Sequence, residues 1–454
     1  MKSQIYRELV STIGEEKVTA DTFKLRVHSQ DSSFHKSMLP SVVVYPESTT
    51  DVRKIINYAF MKKVPITARG GGSSLEGNSI PIKGGISLDM TRMNRIIKLY
   101  RDDQAIKVQP GILGKDLNNF LSRYNLFFPA FPGSMDVATA GGMVATNAGG
   151  MYGLAYGVVG DWVLGLTVVS GNGEILHLGS RSYKSVAGYD LKRLIIGSDG
   201  TLGIITEILF KLKRKFDARC TFIIHSEKEQ QLILTGIKIL QRTKPTALEF
   251  LNKSYIKLIN TVNPDVFKEE SALIVEFLGS EEEIEMYKNE MLSVIPNNIT
   301  VKPWTNFGSD KDIWELRKSV RPVLKQMFKE RGVLTADIGI VQSAVFLFLK
   351  AVFNLGRKNN LDIPVFGHFG DWNFHVWIMY DVSKRDSYQK AIKINEKIVE
   401  TALKLGGTST AEHGIGIGKK KFMIKEHPDQ IKIYTEIKRI FDPMGILNPG
   451  KMIS

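Results

Sequence analysis

Along the first half of the chain, apolar residues alternate between short continuous runs and helical spacing. Val42-Val43-Val44 predicts a strand over residues 41–45. Ser48 or Thr49 then caps a predicted helix whose Val52, Ile55, Ile56 and Ala59 fall on one face. Further strands are predicted over residues 64–68, 85–90, 105–109 and 163–170, and Gly171-Asn172-Gly173 predicts a hairpin turn into residues 174–178. A strand over 204–212 closes this part. Beyond Lys215 the helical patterns lengthen, over 281–292 and 310–329, among strands over 272–278 and 374–380. The predicted class is α+β, with one domain over residues 1–215 and a second α+β domain over 216–425. Residues 426–454 end in DPMGILNPGKMIS, whose Pro and Gly content predicts an ordered loop after a helix.

Size agrees with two cores: the chain has 454 residues, 43% of them hydrophobic. There is no internal repeat and no low-complexity linker. Cys220 is the only cysteine, which excludes an internal disulfide and an iron–sulfur cluster held by this chain alone. It reads as a buried, inert residue. The longest apolar stretch, 338–355, is interrupted by Gln342, Ser343 and Lys350. A membrane span needs about 20 mostly apolar residues, so a buried helix is the expectation. The amino terminus, MKSQIYRELVSTIGEEKV, has no basic region followed by an apolar run, which implies a cytoplasmic location. Net charge is +14, with Lys and Arg spread along the chain and not gathered in a block. That distribution argues against nucleic acid and is compatible with weak attachment to an anionic membrane surface.

Three glycine-rich segments carry the first chemical signal. Residues 66–77 read ITARGGGSSLEG, a strand running into glycines that let backbone N–H groups approach a pyrophosphate. No helix start follows, which excludes the Rossmann turn, and no Gly-Lys-Ser/Thr occurs, which excludes a Walker loop. Residues 129–150 read PAFPGSMDVATAGGMVATNAGG, where Ser134, Thr139, Thr146 and Asn147 offer polar contacts among small residues. Residues 184–207 read KSVAGYDLKRLIIGSDGTLGIITE. Each segment alone also suits tight helix–strand packing; the three in order point to a large planar cofactor.

Two further motifs gather histidine and carboxylate: GHFGDWNFH at 367–375 and AEHGIG at 411–416. Three of the 8 histidines fall here, beside Asp371, Asn373 and Glu412. His368, His375 and Glu412 form a ligand set expected for zinc or manganese. Ordinary loop histidines bonded to backbone carbonyls are the plainer alternative.

From VVVYP at 42–46 to NPGK at 448–451, the chain resembles the FAD-linked family of D-lactate dehydrogenase, the glycolate oxidase flavin subunit and D-2-hydroxyglutarate dehydrogenase, within the vanillyl-alcohol oxidase group. The resemblance implies a two-subdomain FAD-binding domain, an α+β substrate (cap) domain over 216–425, and a C-terminal segment, 426–454, that returns to the FAD domain. It implies that Arg69, Gly70, Gly71, Gly72, Ser73 and Ser74 wrap the FAD pyrophosphate. Pro132, Gly133, Ser134, Thr139, Gly142, Thr146, Asn147 and Gly150 would line the flavin, with Gly203, Ile204 and Asn448 beside the cofactor. No histidine stands in the first glycine loop, so FAD is expected to be non-covalent. Asp199 stands where the family carries Glu. His368, His375 and Glu412 match the family's metal ligands, and His413 matches its proposed base. Trp372 replaces an expected glycine between Asp371 and Asn373, a large ring that would narrow the pocket or change substrate preference.

The reaction implied is oxidation of a D-2-hydroxy acid, D-lactate or glycolate, to the 2-oxo acid. Arg317, in WELR at 314–317, matches the arginine that binds the substrate carboxylate, with Arg321 one turn on as its alternate and Asn373 and His413 as further substrate contacts. The run LTAD at 334–337 has no lysine where the D-2-hydroxyglutarate branch carries one, which favours monocarboxylates. Rival readings are D-2-hydroxyglutarate oxidation, an alkyl transferase of the ether-lipid synthase type, a metal hydrolase built on the His and Glu cluster alone, and a binding subunit that has lost activity. The electron acceptor is open among a quinone, a cytochrome, an iron–sulfur partner protein and oxygen. A homodimer is equally compatible with this reading.

Overall fold

A computed structural model describes residues 4–130, 132–264, 266–304, 312–327 and 330–453, and all their side chains except those of residues 321, 322 and 324–327. The predicted helix over 310–329 therefore lies partly outside the described residues, as does the side chain of Arg321. Two compact units divide the chain. The first comprises Met1–Gly149, Val158–Lys215 and Glu412–Ser454, and the second comprises Gly150–Gly157 and Phe216–Ala411.

The first unit contains β1 (Val18–Thr19), β2 (Val42–Val44), β3 (Ile66–Arg69), β4 (Ile86–Asp89), β5 (Ile96–Tyr100), β6 (Ala105–Val108), β7 (Leu126–Phe127), β8 (Val163–Val169), β9 (Ile175–Gly179), β10 (Ile204–Lys211) and β11 (Lys213–Arg214). One sheet has the order β1-β2-β4-β3, with β2, β4 and β3 parallel. A parallel pair needs a crossover, and the helix Thr49–Lys62 supplies it between β2 and β3. Ser48 caps that helix by accepting the Asp51 N–H at 3.1 Å, an arrangement that contributes about 1 kcal/mol. Val52, Ile55, Ile56 and Ala59 are fully buried on its core face, against Val42, Ile66 and Ile86 of the sheet. Residues 446–448 extend the sheet: Ile66 N–H donates to Ile446 O at 2.8 Å, and Asn448 N–H to Ile66 O at 2.7 Å.

A second, antiparallel sheet has the order β5-β6-β10-β8-β9 and its own core, which includes Phe128 and Phe210 with ring centroids 4.5 Å apart. Two sheets with two cores make the α+β, two-subdomain architecture. The hairpin between β8 and β9 turns through Gly173 at φ +82, a left-handed conformation that costs glycine nothing. A small pair, β11 with β7, completes the unit.

The second unit contains β12 (Ala218–Ser226), β13 (Ala247–Leu251), β14 (Ser271–Gly279), β15 (Thr300–Pro303), β16 (Arg331–Gly339), β17 (Val365–His368) and β18 (Asn373–Asp381). All seven form one antiparallel sheet, ordered β15-β12-β14-β13-β17-β18-β16. The helix Glu281–Val294 starts at a capping box, Ser280 accepting from Glu283 N–H and the Glu283 side chain accepting from Ser280 N–H. His225 on β12 is buried, and its Nδ1 has no hydrogen-bond partner among the described residues.

Two expectations need correction. The apolar stretch 338–355 is not one buried helix: Ile338 and Gly339 end β16, and the helix Val345–Asn359 begins only after a short turn at Gln342–Ala344. Ile338 satisfies its backbone in the ladder with Phe374 instead. Cys220 is half-buried, not buried. Desolvation still pushes its thiol up, away from reactive thiolate. No helix of the described residues is long and apolar enough to cross a membrane.

Candidate functional site

In the first unit, β3 runs out into the glycines because only glycine fits there. A Cβ on Gly70 would stand 2.1 Å from Thr139 Oγ1, and one on Gly71 would stand 1.7 Å from the Val137 carbonyl oxygen. The two glycine-rich segments therefore touch with no room for a side chain between them. Gly72 takes φ +67, a conformation that favours glycine. Arg69 donates from Nη1 to Gln30 O at 2.6 Å. Ser74 Oγ donates to Asn78 Oδ1 and accepts the Glu76 N–H at 3.3 Å, while Ser73 is half-buried beside it.

Thr139 caps the helix Ala140–Thr146 by accepting the Gly142 N–H at 3.3 Å. Thr146 Oγ1 donates to Gly142 O at 3.1 Å. Asn147 ends the helix at φ +51, and its Oδ1 accepts the Gly160 N–H at 2.9 Å. Pro132 is buried, Ser134 is half-buried, and a Cβ on Gly133 would meet nothing within 4 Å. Gly203 and Ile204 occupy packing positions: a Cβ on Gly203 would stand 2.4 Å from Val168, and Ile204 is buried opposite Val169. Gly150 belongs to the second unit.

Asn448 has its side chain committed to the protein, donating to Asn78 O at 3.4 Å and to Asp199 O. Around it lies a polar cluster that sequence reading missed. Asp199 is 3% exposed; Oδ1 accepts from Asn78 Nδ2 at 2.7 Å and Oδ2 from the N–H groups of Ile415 and Gly416 at 3.1 and 2.7 Å. Burial pushes its carboxyl up, against the pull of those donors. Lys451 donates to Asn78 O at 2.6 Å, and burial brings its ammonium down to about 7. Glu76 has Lys419 Nζ and His413 Nδ1 each 3.9 Å from Oε1. Three remote stretches thus hold the loop at residues 70–79 in shape. Side-chain-free backbone at 70–72, inside a preorganised loop, suits a dinucleotide.

The second unit builds a separate constellation on one face of its sheet. Residues directly opposite in antiparallel strands share a face, as do residues two apart. Glu249 pairs with His368, His368 with Asn373, and Phe366 with His375, which pairs in turn with Asp337. Hence one face carries Glu249, His368, Asn373, His375 and Asp337. Spacing in the motif does this: a turn at residues 369–372 joins β17 to β18, so the two histidines fall on neighbouring strands. Their rings stand 5.4 Å apart and nearly perpendicular. Trp372 in the turn takes φ +63, where the resemblance expects glycine.

Asp337 is fully buried and accepts from Asn373 Nδ2 and Thr410 Oγ1, both at 2.8 Å, and from Ala411 N–H at 3.0 Å. Asn373 Nδ2 also reaches Ile338 O at 3.2 Å, which turns the amide oxygen the other way. Glu249, fully buried, takes His368 Nδ1 on one oxygen and stands 2.6 Å from Arg317 Nη2 with the other. Burial alone would raise the Glu249 carboxyl; Arg317 and His368 outweigh it and hold it below the usual range. Arg317 is 8% exposed, yet its Nε and Nη2 find no hydrogen-bond acceptor of good geometry among the described residues. It rides on the helix Ile313–Met327, next to Trp314, whose Nε1 donates to Glu276 at 2.9 Å. With Nδ1 held by Glu249, His368 has the carboxylate partner usual for a metal-ligating histidine. Glu412 and His413 fall in the first unit.

Residues 40–179 match the family model described as FAD binding domain, and residues 218–452 match FAD linked oxidases, C-terminal domain. The chain is 35% identical to mitochondrial D-lactate dehydrogenase [cytochrome] of Arabidopsis thaliana, over 99% of this chain and 81% of the relative. It is 31% identical to glycolate oxidase subunit GlcD of Bacillus subtilis, over 99% and 97%. Among solved structures, p-cresol methylhydroxylase superposes with a TM-score of 0.83 at 16% identity, covering 99% of this chain and 96% of that one, and alkyldihydroxyacetonephosphate synthase with 0.80 at 19%, covering 98% and 84%. At those identities the likeness is one of fold, the vanillyl-alcohol oxidase type. By sequence over nearly its whole length, the chain belongs to the family of FAD-linked oxidases.

Proposed function

We propose that this protein oxidises a small D-2-hydroxy acid, D-lactate or glycolate, to the 2-oxo acid with non-covalent FAD. The observation that carries the reading is Arg317: a buried guanidinium whose Nε and Nη2 lack acceptors of good geometry among the described residues, and which stands 2.6 Å from the same Glu249 that holds His368. Such a fork suits a carboxylate, which accepts two parallel N–H bonds. Asn373, its amide N–H groups spent on Asp337 and Ile338, keeps an oxygen to accept the substrate hydroxyl. The resemblance adds His413 as the base for the hydroxyl proton, a task imidazole can perform near neutral pH. Bound FAD supplies the acceptor for the α-hydride, which no side chain provides. The carboxylate set of the two relatives' named substrates, monoacids, agrees with a β16 that offers Thr335 and no cation at the matching run.

His368 and His375 fit a divalent ion, zinc or manganese, because neutral imidazole with a carboxylate partner is the ligand chemistry both accept. The ion would supply Lewis acidity toward the substrate oxygen. The resemblance adds Glu412 as the carboxylate ligand.

An anaerobic panel of D- and L-lactate, glycolate and D-2-hydroxyglutarate tests the reading. D-lactate and glycolate should bleach the flavin colour, L-lactate should not, and D-2-hydroxyglutarate should be slow. Acid precipitation should leave the yellow colour in the supernatant. A purified chain that is colourless and refuses added FAD overturns the proposal.

A further inference from the structure

We infer that Glu249 is a positioning residue that couples metal binding to substrate binding, by holding His368 with one carboxylate oxygen and facing Arg317 with the other. The inference rests on the function proposed above and extends it to a residue outside both histidine motifs. Glu249 sits in the middle strands of the seven-stranded sheet, on β13, with no exposed surface. A carboxylate there is costly unless paired and hydrogen-bonded, and a leucine would fill the position more cheaply. Its two oxygens have different tasks. One holds His368 at Nδ1 and so fixes the ring and its tautomer, the carboxylate partner that orients a metal-ligating histidine. The other stands 2.6 Å from Arg317 Nη2 as an ion pair, while Nε and Nη2 make no hydrogen bond of good geometry among the described residues. The Phe366 ring, 5.4 Å from the guanidinium carbon, and Tyr255, which donates to Arg317 O at 3.1 Å, complete the seat. Arg317 is thereby aimed without being consumed. Ion affinity and carboxylate affinity then depend on one side chain, and a change to it moves both.

Glu249→Gln keeps the shape and removes the charge. Two readouts apply to FAD-loaded protein: zinc or manganese affinity by chelator competition, and the dissociation constant of oxalate, a dead-end carboxylate, from its perturbation of the flavin spectrum at saturating ion. Both should weaken, ion affinity by about 10–100-fold. A merely structural role would lower the melting temperature and leave both unchanged. Folded Glu249→Gln with wild-type ion affinity, or with weakened ion binding but unchanged oxalate binding, overturns the inference. If the Gln variant does not fold, Glu249→Asp is measured in the same way; partial loss of both affinities supports the inference, and wild-type values overturn it. A wild-type chain that takes up no ion and is bleached by no hydroxy acid overturns the functional reading, and this inference with it.

Discussion

Asp199 Oδ2 accepts the backbone N–H of Gly416 at 2.7 Å, joining two segments more than 200 residues apart in sequence. The same carboxylate takes Ile415 N–H and the Asn78 amide. Asp199→Ala leaves these buried donors unpaired, and each such donor costs about 1–3 kcal/mol. The expected result is a lower melting temperature together with a lower FAD-to-protein ratio after gel filtration. Asp199→Asn, which keeps one acceptor oxygen, should fall between the two.

Glu276 performs the corresponding task in the second unit. Fully buried, it accepts from Tyr152 Oη and Trp314 Nε1 at 2.9 Å, Arg219 Nε at 2.6 Å and Thr221 Oγ1 at 3.0 Å. Arg219 in turn grips Asp312 with two bonds at 2.7 and 3.0 Å, just ahead of the helix that carries Arg317. Removing Glu276 leaves the buried Trp314 and Thr221 donors without their acceptor, at about 1–3 kcal/mol each. Glu276→Ala should lose about that much in urea denaturation, and whatever folds should show a raised KM for the hydroxy acid with a smaller change in kcat.

Arg317→Lys replaces a fork by a point charge. A hydrogen bond to a charged group contributes about 1.5–3 kcal/mol, which predicts a fall in kcat/KM of about 10–100-fold. FAD content should not change, since Arg317 and the glycines at 70–72 lie in different units.

Trp372 pays for its place in the turn with left-handed backbone, φ +63, at a cost of about 1–2 kcal/mol for an L-residue. Its ring contacts Phe369, centroids 5.0 Å apart. Trp372→Gly relieves the backbone and loses the ring contact, so the net change in stability should be about 1 kcal/mol or less. Specificity should move further: the ratio of kcat/KM for D-2-hydroxyvalerate over D-lactate should rise about tenfold or more, since a methylene accommodated in a pocket contributes about 1–3 kcal/mol. An unchanged ratio would show that the ring faces away from the substrate.

Burial lowers the His225 imidazole to about 4. Between pH 4 and an unfolded value of about 6.5, the unfolded chain holds a proton that the folded chain refuses. Stability is therefore complete above pH 6.5 and lost as pH falls toward 4, by about 3 kcal/mol if the full shift is expressed. Urea midpoints at pH 4.5 and 7 should differ in the wild type, and the difference should shrink in His225→Leu.

Local chemistry was legible in the residues; distant chemistry was not. Ser48 caps its helix and Gly171-Asn172-Gly173 turns its hairpin because both signals act over a few residues. The stretch 338–355 misled because apolarity is shared by strand and helix, and Gly339, which ends β16, is a weak marker within it. His368 and His375 stood out by type and spacing. Glu249 did not: in ALEFL it reads as one polar residue in a buried strand, and His368, its partner, lies 119 residues further on. Asp199 drew notice only as a shorter stand-in for Glu. At φ +52 the shorter acid has a reason, since Asp tolerates left-handed backbone better than most residues.

The first unit is assembled from three separate stretches, and residues 446–448 form the edge of its first sheet beside β3. During synthesis that edge leaves the ribosome only after Phe216–Ala411 has emerged. The nascent chain must therefore keep Val42, Ile66 and their neighbours soluble while an entire later unit is translated. Chaperone demand should peak in that interval, and ribosome-stalled chains ending before Ile446 should aggregate where chains that include residues 446–448 do not.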